Sequence, residues 1–344
     1  MHKKDIKNFT LKELEEAIVT IQQPSYRARQ IFFWLYQRGI LDFNEMGNIP
    51  KRLRDEIGRK YYISNITPSE HLKSIDKTEK FLFELSDGNY IETVIIHAAK
   101  RKTICLSTQV GCKFACPFCA SGRKGFTRNL TASEIINQAH YLQNNLKHKI
   151  TNYVFMGMGE PLDNYENVTK AIMIMNKPKG MDIGARRITI STCGIVPAIE
   201  KLKDLGIQIN LSISLHAANN GLRDKLVPIN KRYPLERLIK ACEEFIEKTG
   251  KMITFEYVLI KGMNASPEDA DELAVIAKRL KAKVNLIPYS TVQNLNFQSP
   301  QEGDIDIFIK RLANSGVNVT LRQSKGEDIQ AACGQLAGKK KSEI

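Results

Sequence analysis

Cys112-Lys113-Phe114-Ala115-Cys116-Pro117-Phe118-Cys119 sets three cysteines at CxxxCxxC spacing, with an aromatic residue directly before the last. Three thiolates on one tight loop can each hold one iron of a cuboidal cluster and leave the fourth iron without a protein ligand. An open iron is a place for a small molecule to bind. A structural zinc site is the other chemistry such a triplet allows, but it wants four ligands, usually as two CxxC pairs, and the chain has no second pair. The seven cysteines are odd in number and scattered over 344 residues, which argues against a disulfide framework.

Other residues suit the binding of a small polar molecule. Gly157-Met158-Gly159-Glu160-Pro161 is glycine-rich but is not a dinucleotide GxGxxG. Its glycines let backbone approach a ligand, and Glu160 suits an ammonium group. An ordinary tight turn is the competing reading. Ser191, Ser214-Leu215-His216 and Tyr289-Ser290 each end a run that reads as a strand. A lone histidine is more often structural than a ligand, but His216 directly after Ser214 at a strand end suits a ribose. Cys105, Cys193, Cys242 and Cys333 remain, and the plain expectation for each is a small buried hydrophobe. Glu92 falls on the opposite face of its strand from Ile91 and Thr93, where a glutamate is expected to face solvent.

Alternating elements must position these residues. Thr10–Gln22, a stretch after Pro24-Ser25, and Pro50–Tyr61 read as helices with one apolar side. Thr10 with Glu13 forms a capping box, and Arg27, Arg29, Arg38, Lys51, Arg52, Arg54, Arg59 and Lys60 make the set basic. A hairpin follows: Phe81, Phe83 and Leu85 alternate, Ser86–Asn89 turns, and Ile91, Thr93 and Ile95 alternate again. From Thr103 the rhythm becomes strand, loop, helix. Strands are expected at 103–109, 152–156, 187–191, 208–214, 253–260, 284–287 and 317–321, with helices between them, the first capped by Thr131 and Glu134. Such repeats imply parallel strands with right-handed crossovers, and about six of them suit an α/β fold with a partial (β/α)6 barrel. In such folds ligands sit at the carboxyl ends of the strands, where all the motifs above fall.

The expected division is a basic helical accessory domain at 1–65, a linker and hairpin at 66–100, a core at 101–338 and a disordered tail at 339–344. Hydrophobic residues make up 42% of the chain, enough for a real core. No apolar run approaches the ~18 residues of a membrane helix, and the polar start predicts no signal peptide, so a cytoplasmic protein is expected. The formal net charge of +14 attracts polyanions, although a lysine-rich proteome gives basic proteins of every kind.

The cysteine spacing and its aromatic resemble the radical S-adenosylmethionine (SAM) superfamily. Within it, the chain resembles the adenine-C2 methyltransferases of large-subunit ribosomal RNA and transfer RNA. The residues that carry this are Glu92-Thr93-Val94, Gln109–Cys112, the cysteine triplet, Gly125-Phe126, Arg128–Leu130, Met156–Leu162, Ser214–Ala217, Val227–Asn230, Asn285–Pro288 and Asp328–Leu336. The resemblance implies a radical SAM barrel with a [4Fe-4S] cluster on Cys112, Cys116 and Cys119. It implies SAM contacts from Gly159, Glu160, Ser191, Ser214, Leu215, His216 and Ser290, the last standing where the family commonly has asparagine. It makes Cys333 the cysteine that is methylated, Cys105 its resolving partner through a disulfide, and Glu92 the proton acceptor. Cys193 and Cys242 match no functional position.

Implied partners are ribosomal RNA, transfer RNA and a small electron-donor protein of flavodoxin or ferredoxin type, with a monomer sufficient. The related carbon-8 methyltransferases that confer antibiotic resistance are the nearest rival, and Glu160-Pro161 favours carbon 2 over them. A zinc-stabilised RNA-binding protein without catalysis explains the triplet and the charge but not Cys105 or Cys333. A radical SAM enzyme of small molecules leaves the basic helices without a purpose.

Overall fold

A computed structural model describes residues 3–339. Most of the expected disordered tail therefore lies outside the described residues. Ten strands form one open sheet in chain order: β1 (Pro68–Lys73), β2 (Glu79–Glu84), β3 (Tyr90–Ala98), β4 (Arg101–Cys105), β5 (Asn152–Phe155), β6 (Ile188–Thr192), β7 (Asn210–Ser214), β8 (Thr254–Leu259), β9 (Lys283–Pro288) and β10 (Val319–Leu321). From β4 onward every pairing is parallel; β1 to β4 pair antiparallel. Six strand–helix units thus make the partial barrel, and β1 and β10 are its edges.

The parallel strands are Ile-, Val- and Phe-rich because helices cover them; Ile104, Phe155, Ile190, Ile213, Phe255 and Leu286 are buried. The crossover helices start where the sequence says they should. In the helix Ala132–Asn144, Thr131 accepts the Glu134 N–H and Glu134 accepts the Thr131 N–H.

Three local differences from the sequence reading matter for the site. The strand expected over 103–109 ends at Cys105, and Gln109–Gly111 turns away to pair with Phe126–Asn129. Leu106 still bonds to the neighbouring strand, donating to Val154 O and accepting the Gly157 N–H, and the chain leaves the sheet beyond it. The expected hairpin is a three-stranded meander, since Pro68–Lys73 adds an outer strand, and it continues the barrel sheet through β3 and β4. The third difference concerns Arg54, read as part of a basic surface: it donates to the Asn44 carbonyl within its own domain, while Lys51 and Arg52 beside it are exposed.

The N-terminal helices Leu11–Thr20, Tyr26–Phe33 and Lys51–Lys60 pack around Leu14, Ile31, Phe32, Leu53 and Ile57. They dock on the core through Lys7, whose buried ammonium donates to Asn137 Oδ1 at 2.9 Å. Burial pulls that ammonium down to about 8. Among the described residues no helix is long and apolar enough to cross a membrane.

Candidate active site

The cluster loop hangs from β4 by the short ribbon. Gly111, at φ +75, turns against Gly125 so closely that a Cβ would collide with its carbonyl. The loop then closes through the Cys112 N–H on Gly125 O and the Cys119 N–H on Cys116 O. Cys112, Cys116 and Cys119 all line one cavity of about 160 Å³. Burial raises all three thiols, Cys112 to about 12, and at Cys116 the two neighbouring sulfurs add to it. Such a set stays protonated until cations arrive, which is the donor chemistry of an iron–sulfur cluster. Among the described residues the one group of three His, Cys, Asp or Glu ligand atoms within 4.8 Å of each other is Glu79, His97 and His148. The three cysteine sulfurs do not all lie within 4.8 Å of one another, whereas one tetrahedral zinc would draw them to roughly 3.8 Å apart.

The same cavity is lined by Gly159, Glu160, Ser191, Ser214 and His216. Glu160 is buried and held by the N–H groups of Leu162 at 3.0 Å and Cys193 at 2.7 Å. Burial raises its carboxyl despite these donors, so a cationic ligand is the partner it lacks. Ser191 and Ser214 stand with hydroxyl oxygens 3.3 Å apart on adjacent strand ends. His216 takes a left-handed backbone, φ +57, and its Nδ1 accepts the Val258 N–H at 3.0 Å. Its proton therefore sits on Nε2, and burial, aided by Arg223, drives the ring down to about 3, leaving a neutral donor.

Two expected contacts stand outside the cavity. Leu215 is fully buried, with its N–H on Glu256 O, and the Ser290 hydroxyl donates to Ser324 at 2.8 Å. The glycines of the loop also serve a different end from the one expected. A Cβ on Gly157 would meet the Leu106 carbonyl at 2.7 Å, and one on Gly159, at φ +94, would meet Gln109 at 2.5 Å. They let two stretches of backbone pack, and Gly159 reaches the cavity as a consequence. Cys193, expected in the core, is buried yet lines this cavity; Cys242 is core alone.

A second, larger cavity of about 500 Å³ adjoins the first and shares Cys119, Arg322 and Cys333 with it. Cys105, the last residue of β4, lines it too. Cys333 is exposed and Cys105 buried; both are free thiols, so the disulfide implied for the reaction cycle is not part of this structure. Burial, then the nearby Cys333, pushes Cys105 up to about 12, and Arg322 opposes them.

Glu92 is not solvent-facing. It is almost fully buried, bonded to Lys80 and to the N–H groups of Ala337 and Gly338. Arg322 and Lys80 went unremarked in the sequence, where neither stands in a motif. Only their placement at the end of β10 and on β2, facing the cysteines and Glu92, reveals them.

Comparison with known proteins agrees with this geometry. Residues 106–274 match the radical SAM superfamily, and residues 4–63 match the ribosomal RNA large subunit methyltransferase N-terminal domain. The chain is 44% identical over 339 residues to the dual-specificity RNA methyltransferase RlmN of Geotalea uraniireducens, covering 98% of each. A crystal structure of a radical SAM methyltransferase from Sphaerobacter thermophilus superposes with a TM-score of 0.92 at 43% identity, covering 98% of this chain and 100% of that one. Likeness over nearly its whole length, in sequence and in fold, means that the chain belongs to the RlmN family of radical SAM dual-specificity RNA methyltransferases.

Proposed function

We propose that this enzyme methylates carbon 2 of adenine in 23S ribosomal RNA and in transfer RNA, through a methyl group carried on Cys333 and with two SAM per turnover. Carbon 2 is electron-poor and has no lone pair, so it cannot attack the methyl of SAM directly. Cys112, Cys116 and Cys119 would hold a [4Fe-4S] cluster, which would supply the radical chemistry this requires. Gly159, Glu160, Ser191, Ser214 and His216 orient that SAM: Glu160 faces its ammonium group, and the hydroxyls with His216 face its ribose.

Cys333 would take a methyl from a first SAM by direct displacement, releasing S-adenosylhomocysteine, and loss of a hydrogen atom from that methyl to the 5′-deoxyadenosyl radical of the second SAM would leave the carbon that adds to the adenine. After carbon–carbon bond formation Glu92 takes the carbon-2 proton. Cys105 then attacks the Cys333 sulfur, forming a disulfide and freeing the methylated RNA. The observation that carries this reading is one cavity lined by Cys105, Cys333 and Cys119 together, although their sequence positions are far apart. The exposed basic side of the Lys51–Lys60 helix suits the RNA backbone. A flavodoxin- or ferredoxin-like protein would supply electrons.

Mass spectrometry of Cys333 peptides from anaerobically purified protein, beside a Cys105→Ala variant, tests it. Methyl on Cys333 and an RNA crosslink trapped in the variant are expected. Unmodified Cys333 and no crosslink, in iron-loaded protein given SAM and RNA, would sink it. Reverse-transcriptase arrest at the modified adenine separates carbon 2 from carbon 8.

A further inference from the structure

Lys80 on β2 and Glu92 on β3 lie diagonally across two paired strands, on the sheet face that also presents Val94 and Cys105 to the larger cavity. Both side chains are buried, and Lys80 Nζ is 2.9 Å from Glu92 Oε1. Each also grips the segment that carries Cys333, from opposite ends. Lys80 Nζ donates to the Gln330 carbonyl at 3.3 Å, ahead of the cysteine. Glu92 Oε2 accepts the Ala337 N–H at 2.7 Å and the Gly338 N–H at 2.8 Å, beyond it. Gly338 is seated so closely, at φ +61, that a Cβ would meet Tyr90 O at 2.6 Å. Cys333 between these anchors is exposed.

With three donors on its two oxygens the carboxylate keeps at most one acceptor position, and Glu92 lines neither cavity. Its partners would have to be given up for it to reach a substrate proton. We propose that Lys80 and Glu92 form a clamp that positions Cys333 from both ends of its segment, and that Glu92 accepts the substrate proton only after Ala337 and Gly338 release it. Lys80 is then a positioning residue, keeping the carboxylate charged and in place. The clamp orders the cycle: methyl loading and attack on adenine proceed with it shut, and proton removal with it open at 337–338. In that step the carbon–hydrogen electron pair stays with the ring and the proton goes to Glu92. This inference rests on the methylcysteine reading above.

Hydrogen exchange on the full-length, cluster-loaded protein without RNA tests the clamp directly. In Lys80→Met the Ala337 and Gly338 amides are expected to exchange about tenfold faster than in the wild type, with Lys80→Arg restoring protection. Lys80→Gln serves the same purpose if the Met variant does not fold.

With SAM and RNA added, Lys80→Met is expected to load methyl on Cys333 about tenfold more slowly than the wild type, because the clamp that positions the cysteine is loosened, and Lys80→Arg to restore the rate. Lys80 is the charge bonded to Glu92, and Lys124, on the Gly338 carbonyl at 3.1 Å, is the other cation beside the clamp.

Unchanged amide exchange in Lys80→Met would overturn the clamp whatever the RNA chemistry does. Protection of the Ala337 and Gly338 amides in the RNA adduct trapped by Cys105→Ala equal to that in the free enzyme would overturn the conditional role of Glu92. Absence of methyl on Cys333 in the wild type would instead overturn the methylcysteine reading and leave the exchange result standing.

Discussion

Arg322 Nη1 lies 3.3 Å from a carboxylate oxygen of Glu256, and the guanidinium fronts the same cavity as Cys105 and Cys333. Burial works against its charge, but Cys333, Glu256 and Cys105 together raise its affinity for the proton. Glu256 is itself fixed by the Ser212 hydroxyl at 3.2 Å and the Asn285 amide at 3.1 Å. The arginine is therefore a braced cation beside Cys105 and Cys333, whose thiolates the proposed reaction needs. Replacing it with methionine should slow resolution of the protein–RNA adduct by about tenfold or more, one pH unit of lost thiolate stabilisation. Gel-resolved adduct decay would show this, and an unchanged half-life would remove Arg322 from that role.

Cys193 shares the cavity of the cluster triplet and tests which thiols hold iron. Cys112→Ala, Cys116→Ala and Cys119→Ala should each lose the brown colour and most of the bound iron after anaerobic reconstitution. Cys193→Ala should keep both, because its N–H and its thiol are both engaged with Glu160 rather than with the triplet. Iron loss in Cys193→Ala equal to that of the triplet variants would refute the assignment.

His140 is buried on the Ala132–Asn144 helix, with Nε2 lacking a partner. Burial, then the nearby Lys7, lowers it to about 3. A histidine lowered in the fold gives stability that is full above its unfolded value of about 6.5 and falls away as the pH drops toward 3. Between pH 7 and pH 5 the wild type should lose about 2 kcal/mol through this ring alone. Urea unfolding of His140→Phe at the two pH values should show a correspondingly smaller loss; equal losses would dismiss His140 as the source.

Lys51 and Arg52 are exposed on the basic N-terminal helix, whereas Arg54 is tied to Asn44. Changing Lys51 and Arg52 together to glutamine should weaken RNA binding and reduce its salt dependence by about two counter-ions. SAM cleavage should stay at the wild-type rate. If both fall together, the helix supports the fold of the core rather than the RNA.

Local signals carried far in this chain. The capping boxes at Thr10 and Thr131, the β-rich runs of the parallel strands and the tight cysteine loop each depend on residues within one turn or one strand, and each appears where its sequence places it. What escaped depends on distance. Pro68–Lys73 reads as polar linker because it is an edge strand, with one face to solvent. Glu92 reads as a surface glutamate because the groups that make its burial tolerable are Lys80 on the neighbouring strand and N–H groups 245 and 246 residues further along. Leu215 and Ser290 sit next to cavity residues in sequence, but the Leu215 side chain is buried in the core and the Ser290 hydroxyl donates to Ser324.

The ten strands follow one another across the sheet in the order in which they are synthesised, and the segment bearing Cys333 comes after all of them. A sheet of this kind grows by adding each new strand to the edge of the last, without waiting for a distant partner. The reactive cysteine is the exception, since its anchors on β2 and β3 are made near the beginning of the chain. An incomplete polypeptide that stops before Cys333 thus holds Cys105 and the cysteine triplet without the segment that β2 and β3 anchor. The cavity that Cys105 and Cys333 share closes only once that segment has been made and has found its early anchors.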